Sequence, residues 1–326
     1  MRALLCRELG DIANLSVGET ASPPMTADDV RIGVKASGVN FPDILMVEGK
    51  YQVKPALPFV PGLEAAGEVL EVGANVGGHV KVGDRVMAFA RHAGTHAEEV
   101  VVQGGIATPI PDAMDYVTAA AFPVVYGTAH FALDYRGNLK AGETLLVLGA
   151  AGGVGLAAVE VGKMLGARVI AAASSAEKLE QARLHGADEL VNYREGSLRD
   201  QVKALTDDKG VDVVFDPVGG DGFTQAVRCI GWEGRILVIG FASGDIPKVA
   251  ANMILVKNFS VVGVVFGEHS SRYPDDSRLR LGRLLEIWGK GALKPEVMQT
   301  YPLDRAAEGL AMIANRRVMG KLVIEI

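Results

Sequence analysis

The first hundred residues alternate apolar and polar positions in short runs. Val30–Ala36, Ala66–Val72 and Val80–Phe89 each carry the period of two expected of a strand with one buried face. Pro23-Pro24, Pro58, Pro61-Gly62, Gly77-Gly78 and Gly83-Asp84 punctuate them. Short strands between such turns predict a compact, barrel-like β domain.

The pattern changes near Thr118. Thr144–Leu148, Arg168–Ala172, Val211–Phe215 and Arg235–Ile239 read as buried strands. Helical patterns separate them. One covers Gly152–Leu165, with Val154, Ala158, Val161 and Leu165 on one face and Gly166 as its stop. Others cover Ala176–His185 and roughly Gly222–Ile230. Strands without polar alternation, separated by helices, predict a parallel sheet covered on both faces. Ser260–Val265 reads as the last strand of that sheet, Asp275–Lys290 and Leu303–Asn315 as helices, and Gly320–Ile326 as a closing strand. Lys321–Ile326 alternates and needs a partner, so the tail is expected to return to the first domain. The polar stretch Gly267–Arg278, with His269, Arg272 and Tyr273, reads as a loop that either is solvated or lines a substrate entrance. As an exposed sheet edge, Ser260–Val265 predicts a homodimer that pairs these strands across a two-fold axis.

Composition narrows the class. The 326 residues are 49% hydrophobic and 22% charged, as in globular proteins. The net charge of −6 and the lack of a basic stripe argue against a nucleic-acid partner. Cys6 and Cys229 are the only cysteines, which excludes a disulfide framework and a four-cysteine zinc lobe and suits a reducing compartment. The apolar stretch at the N-terminus is short and broken by charge, unlike a signal peptide. The longest apolar run, Leu145–Val159, is glycine-dense and ends at Glu160, so it reads as strand plus helix and not as a membrane span. The expectation is a soluble, cytoplasmic protein.

The strongest chemical signal is Leu148-Gly149-Ala150-Ala151-Gly152-Gly153-Val154-Gly155. It is an imperfect GxGxxG, with Ala150 where the first glycine should stand. It follows an apolar strand, opens an amphipathic helix and leads to a second strand, the context of a dinucleotide site. Glycines there admit a pyrophosphate, and the N–H groups at the helix start bind its charge. The same turn without a ligand would serve only tight helix–sheet packing.

The end of the second strand selects the cofactor. An NAD site places Asp or Glu there, on the ribose 2′-hydroxyl. This chain has Ala172-Ala173-Ser174-Ser175, no carboxylate before Glu177, and then Lys178. Two hydroxyls and a cation suit the 2′-phosphate of NADPH. Ser175 is also in position to cap the helix from Ala176, and Lys178 would otherwise be a solvated lysine. Tyr193-Arg194 are placed to cover the adenosine.

Several further motifs carry a resemblance. They are Ala36-Ser37-Gly38-Val39-Asn40-Phe41-Pro42-Asp43, Gly49-Lys50-Tyr51, Pro58-Phe59-Val60-Pro61-Gly62-Leu63-Glu64 and Gly83-Asp84-Arg85-Val86. Later come Gly149–Gly155, Asp216-Pro217-Val218-Gly219-Gly220 and Trp232-Glu233-Gly234-Arg235. Together they resemble the medium-chain dehydrogenase/reductase superfamily, and within it the zinc-independent quinone oxidoreductase branch, nearly end to end. The resemblance implies an α/β protein, a GroES-like β domain (1–123) plus a Rossmann doubly wound parallel sheet (124–262), with 263–326 returning to the catalytic domain and an active site in the cleft. It also implies site residues. Asn40 and Tyr51 would approach the nicotinamide and its ribose, and Thr128 the nicotinamide side. Gly152, Gly153 and Val154 would hold the pyrophosphate, and Ser174, Ser175, Lys178 and Tyr193 the adenosine phosphate end. Phe241, Ser243 and Val265 would line the nicotinamide, and Arg317 or its neighbour Arg316 would close over the cofactor.

Zinc-dependent relatives place a cysteine and then a histidine where this chain resembles them at Asn40 and Leu63, neither of which ligates zinc well. His92 and His96 have i, i+4 spacing, but Gly94 lies between them and no Glu follows His92, so they read as loop histidines. Without a Lewis acid the acceptor must carry its own electron sink, which favours a small-molecule quinone or activated alkene over a simple ketone. The first reading is therefore an NADPH:quinone reductase. An alternative is an enoyl reductase acting on an α,β-unsaturated thioester or ketone, with Tyr51 as proton donor, as in related enoyl-thioester reductases. A third is a non-enzymatic structural or RNA-binding protein, as some relatives are, against which the acidic charge argues.

Overall fold

The computed structural model describes all 326 residues. The chain starts with β1 (Arg2–Leu5), β2 (Ser16–Glu19), β3 (Asp29–Val39), β4 (Glu64–Val72), β5 (Arg85–Phe89), β6 (Glu99–Gln103) and β7 (Thr108–Pro109). It continues with β8 (Thr144–Leu148), β9 (Arg168–Ala173), β10 (Glu189–Asn192), β11 (Val211–Asp216), β12 (Ile230–Val238) and β13 (Ser260–Gly263). It ends with β14 (Val297–Pro302) and β15 (Lys321–Glu325). Two compact units result. The first comprises Met1–Gly127, Gly267–Gly291 and Pro295–Ile326, and the second Thr128–Phe266 with Ala292–Lys294.

In the first unit β3 is the spine. One edge pairs antiparallel with β4 along most of its length. The other edge is shared: Asp29–Gly33 pair with β6 and Ala36–Val39 with β15. β5 extends the sheet beyond β4, β7 beyond β5, and β14 runs parallel to β15. The closing strand therefore finds its partner in β3, as its alternation requires. Val30, Ile32, Val34, Val69, Val86, Val100, Leu322 and Ile324 are buried in one core cluster. Their spacing of two along each strand is the pattern that predicted the sheet.

Two expectations here need correcting. The alternation over Val80–Phe89 yields a strand only from Arg85. Before it, the Asp84 carboxylate accepts the Lys81 N–H at 2.9 Å and Gly83 turns the chain at φ +87°. The stretch Gly267–Arg278 is not a loop. It is helical over Phe266–Arg272, and a second helix, Pro274–Gly289, opens on proline. Its polar residues pair along the helices, Glu268 with Arg272 and Asp276 with Arg280, both at i, i+4 and 2.7 Å.

In the second unit all neighbours are parallel, in the order β10-β9-β8-β11-β12-β13. In chain order that is 3-2-1-4-5-6, so the winding reverses between β8 and β11. Ligands bind outside the carboxyl ends of the strands at such a reversal. Leu146, Ile170, Val214 and Ile236 form the sheet's buried centre. β12 begins earlier than Arg235. Val211 pairs with Ile230 and Val213 with Arg235, so Gly231–Gly234 bulge out of the ladder, with Glu233 at φ +58°. β13 stops at Gly263. No helix is long and apolar enough to cross a membrane.

Candidate active site

The glycine turn closes at the end of β8. Ala150 N–H donates to Ala172 O at 3.1 Å, tying the turn to β9, and Gly152 N–H donates to Gly149 O at 3.1 Å. Gly149 takes the left-handed conformation, φ +60°. The sharp bend therefore sits at Gly149, and Ala150 needs no glycine's freedom. This accounts for the imperfect fingerprint. A Cβ at Gly155 would lie 2.3 Å from Gly149 O and 2.8 Å from Ala150 Cα, both backbone atoms. One at Gly152 would meet nothing nearer than Gly149 O at 3.6 Å. Gly155 is thus required by helix–turn packing, whereas the fold leaves open the space over Gly152. Gly152 caps the helix Gly153–Met164, and no side chain consumes its first N–H groups. Open amides at a helix start beside a residue with no Cβ fit a pyrophosphate.

At the end of β9, Ser174 and Ser175 are half-buried. Ser175 Oγ accepts the Lys178 N–H at 3.4 Å and so caps the helix Ala176–Leu184. The cap uses an oxygen lone pair and leaves the hydroxyl proton to donate elsewhere. Tyr193 N–H donates to Ala173 O at 3.3 Å, which sets this exposed tyrosine beside the serine pair.

The loops after β11 and β12 are zipped together. Asp216, buried, accepts the N–H groups of Val218 at 2.7 Å and Gly219 at 2.9 Å. Burial pushes its carboxyl up, and the two amide bonds oppose the shift. Ala242 N–H donates to Pro217 O and Ser243 N–H to Val218 O. A Cβ on Gly219 would meet the Phe241 ring at 3.0 Å. Val264 N–H donates to Val238 O, and Val265 follows, 54% exposed. Phe241, Ser243 and Val265 thus stand at the same strand ends as the glycine turn and the serine pair. Thr128 lies half-buried on the helix Pro123–His130.

In the first unit Asn40 is buried and fully engaged. Its Oδ1 accepts from Lys321 Nζ at 2.7 Å, and its Nδ2 donates to Glu64 Oε1 at 2.9 Å. Its backbone N–H donates to Asp43 Oδ2 at 2.7 Å, at the start of the helix Phe41–Val47. Lys321 also donates to Glu64 Oε1 and Val39 O, both at 2.7 Å, and Glu64 Oε2 accepts the Val124 N–H at 2.8 Å. Tyr51 is half-buried. Burial and the charge of Asp43 push its phenol up, and Arg91, paired with Glu268, pulls it back. A raised phenol is protonated at neutral pH and is a donor. His96 lies on the loop before β6, as read from sequence, but is closed off from water. It is fully buried, with Nδ1 2.8 Å from Ser37 Oγ and Nε2 3.7 Å from Asp43 Oδ2. Arg317 and Arg316 are exposed, Arg316 at φ +56°.

Comparison with known proteins fixes the family. The alcohol dehydrogenase GroES-like domain family matches residues 26–112, and the zinc-binding dehydrogenase family matches 153–280. The quinone oxidoreductase-like protein 2 homolog of Nematostella vectensis is 42% identical over 99% of this chain and 88% of its own length. Quinone oxidoreductase-like protein 2 of Bos taurus is 41% identical over 100% and 92%. Among solved structures, Escherichia coli quinone oxidoreductase complexed with NADPH superposes over the full length of both chains, with a TM-score of 0.93 and 28% identity.

The chain belongs to the zinc-independent quinone oxidoreductase branch of the medium-chain dehydrogenase/reductases.

No three or more His, Cys, Asp or Glu side chains are grouped to hold a metal. At the two positions compared with zinc ligands, the Asn40 amide is taken up by Lys321 and Glu64, and Leu63 is buried apolar surface. The reductase fold gathers Gly152, Gly153, Val154, Ser174, Ser175, Tyr193, Phe241, Ser243 and Val265 at one end of the second unit's sheet. It sets Asn40 and Tyr51 in the first unit. Sequence reasoning missed Glu64, Lys321, His96 and Asp216. The available signal was a charged or polar residue at an inward position of an apolar strand: Glu64 opens β4, Lys321 opens β15 and Asp216 ends β11.

Proposed function

We propose that the protein is an NADPH-dependent reductase that transfers hydride to a quinone. The observation that carries this reading is the end of β9. Two serines, one with its hydroxyl proton free of the cap, stand where an NAD site needs a carboxylate. The NADPH complex of the E. coli relative supports it. When bound, the cofactor supplies the hydride. The amides of Gly152, Gly153 and Val154 hold its pyrophosphate. Ser174, Ser175 and Lys178 neutralise and bond the 2′-phosphate, with Tyr193 over the adenosine. Thr128, Phe241, Ser243 and Val265 orient the nicotinamide, and Arg317 belongs to the same set. The quinone takes up a hydride and a proton to become a hydroquinone, and its conjugation stabilises the charge without a metal. In the first unit we assign Asn40 a positioning role through Lys321 and Glu64. Titration of the protein with NADPH and with NADH tests the cofactor reading. At least tenfold tighter binding of NADPH is expected, and equal affinities would overturn it.

A second reading, enoyl reduction, rests on Tyr51. Its protonated phenol is suited to deliver a proton to the α-carbon after hydride reaches the β-carbon. We also propose a homodimer through β13, an unpaired edge strand with Val261 partly exposed, and a cytoplasmic location, which suits the two buried free thiols Cys6 and Cys229.

A further inference from the structure

Trp232 is the least expected side chain on the second unit. It is 68% exposed, on the bulge Gly231–Gly234 that the left-handed Glu233 holds out of the β11–β12 ladder. Bulges recur where a strand re-aims a side chain. Here Trp232 lines a cavity of about 520 Å³.

The walls of that cavity carry five cations, Arg199, Lys203, Lys209, Arg228 and Lys257, against one acid, Asp208. These come from four separate segments, so no basic stripe appears in the sequence. Asp208 pairs with Lys203 at 3.2 Å, but its side chain is 83% exposed, and such a pair is weak. Lys209 and Arg228 make no ion pair. The Lys257 ammonium is fixed by the carbonyls of Val227, Arg228 and Ile230 at 2.8–3.1 Å, and burial pulls its pKa down. In a chain with a net charge of −6, this is a concentrated positive surface. The Cys229 thiol in the wall is pushed up to about 11 by burial and brings no nucleophile.

The cavity is distinct from the dinucleotide turn. Gly210 and Ile230, which line it, stand at the amino ends of β11 and β12, whereas the glycine turn follows the carboxyl end of β8. In a parallel sheet these are opposite edges.

We propose that this cavity binds a small phosphorylated ligand with a planar ring, such as a nucleoside di- or triphosphate, as a second site. Arg228, Lys209 and their neighbours take the phosphates, and Trp232 stacks on the ring.

Trp232 and Trp288 are the only tryptophans, so a Trp288→Phe background reports Trp232 alone. ADP and inorganic tripolyphosphate are titrated into this protein with and without saturating NADP⁺. Saturable quenching by ADP is expected in both conditions, with competition by tripolyphosphate. In Lys209→Ala/Arg228→Ala, which alters two exposed side chains, the Kd for ADP should rise at least tenfold. No saturable quenching, quenching abolished by NADP⁺, or an unchanged Kd in the double variant would overturn the proposal.

Discussion

Lys321 donates a 2.7 Å hydrogen bond to Asn40 Oδ1 across 281 residues of chain. The last strand thereby locks the residue that opens the helix Phe41–Val47. The same ammonium meets Glu64 Oε1, and the side chains of this pair are only 5% and 0% exposed. A buried pair is weak evidence of net stabilisation, but breaking one strands the other charge. Here the three donors of the ammonium meet three acceptors, so its charge is well compensated.

Lys321→Met should therefore destabilise the protein by about 3–5 kcal/mol, because the buried Glu64 loses its ion-pair partner. Lys321→Met/Glu64→Gln should cost clearly less than the single change. Urea midpoints of the three proteins check this. A single variant within about 1 kcal/mol of the parent would contradict the account.

The glycine turn separates fold from ligand. Gly155→Ala forces a Cβ onto backbone atoms at 2.3 and 2.8 Å and should lower both Tm and NADPH affinity. Gly152→Ala meets nothing nearer than 3.6 Å and should keep its Tm while losing about tenfold or more in NADPH affinity. Melting curves and NADPH titration of both variants check this. Unchanged NADPH affinity in Gly152→Ala would contradict close pyrophosphate approach at that residue.

Tyr51→Phe distinguishes the two acceptors. If the phenol is only a neighbour of the site, quinone turnover should stay within about threefold, and any enoyl turnover should persist. If it is the proton donor, enoyl turnover should fall by about 10²–10⁴ while quinone turnover remains. Steady-state rates with NADPH and each acceptor class decide between them.

Glu143 sets a pH dependence of stability. Burial acts to raise its carboxyl, but Arg235, bonded at 2.8 and 2.7 Å, and the Lys140 N–H at 2.8 Å hold it below the ordinary value. A depressed folded pKa contributes stability that is present above the unfolded value and is lost as pH falls through the folded one. Glu143→Gln should thus be less stable than the parent at pH 7, and the gap should narrow below pH of about 4. Denaturant melts across that range check the sign, and a gap that widened in acid would refute it.

The second unit was legible because each of its cues is local. Thr144–Leu148 is apolar throughout, and glycine starts or stops its helices, so β8 emerged with the bounds read from sequence. Where a residue's partners are distant in sequence, the local pattern does not show them. Asn40 reads as a group approaching the nicotinamide, and the commitment of its amide to Glu64 and Lys321 is not legible. His96 does lie on a loop, as read, but its burial against Ser37 and Asp43, more than fifty residues away in sequence, is not legible. The helix Phe266–Arg272 was hidden because its composition is that of a solvated loop, and only the spacing of Glu268 and Arg272 betrays it.

The central claim is that this chain passes hydride from NADPH to an acceptor with its own electron sink. The most direct measurement is NADPH oxidation by the purified protein, followed against a panel of small quinones, with NADH in parallel. The account predicts quinone-dependent oxidation that strongly prefers NADPH. No oxidation with any small quinone, or equal use of NADH, would contradict it.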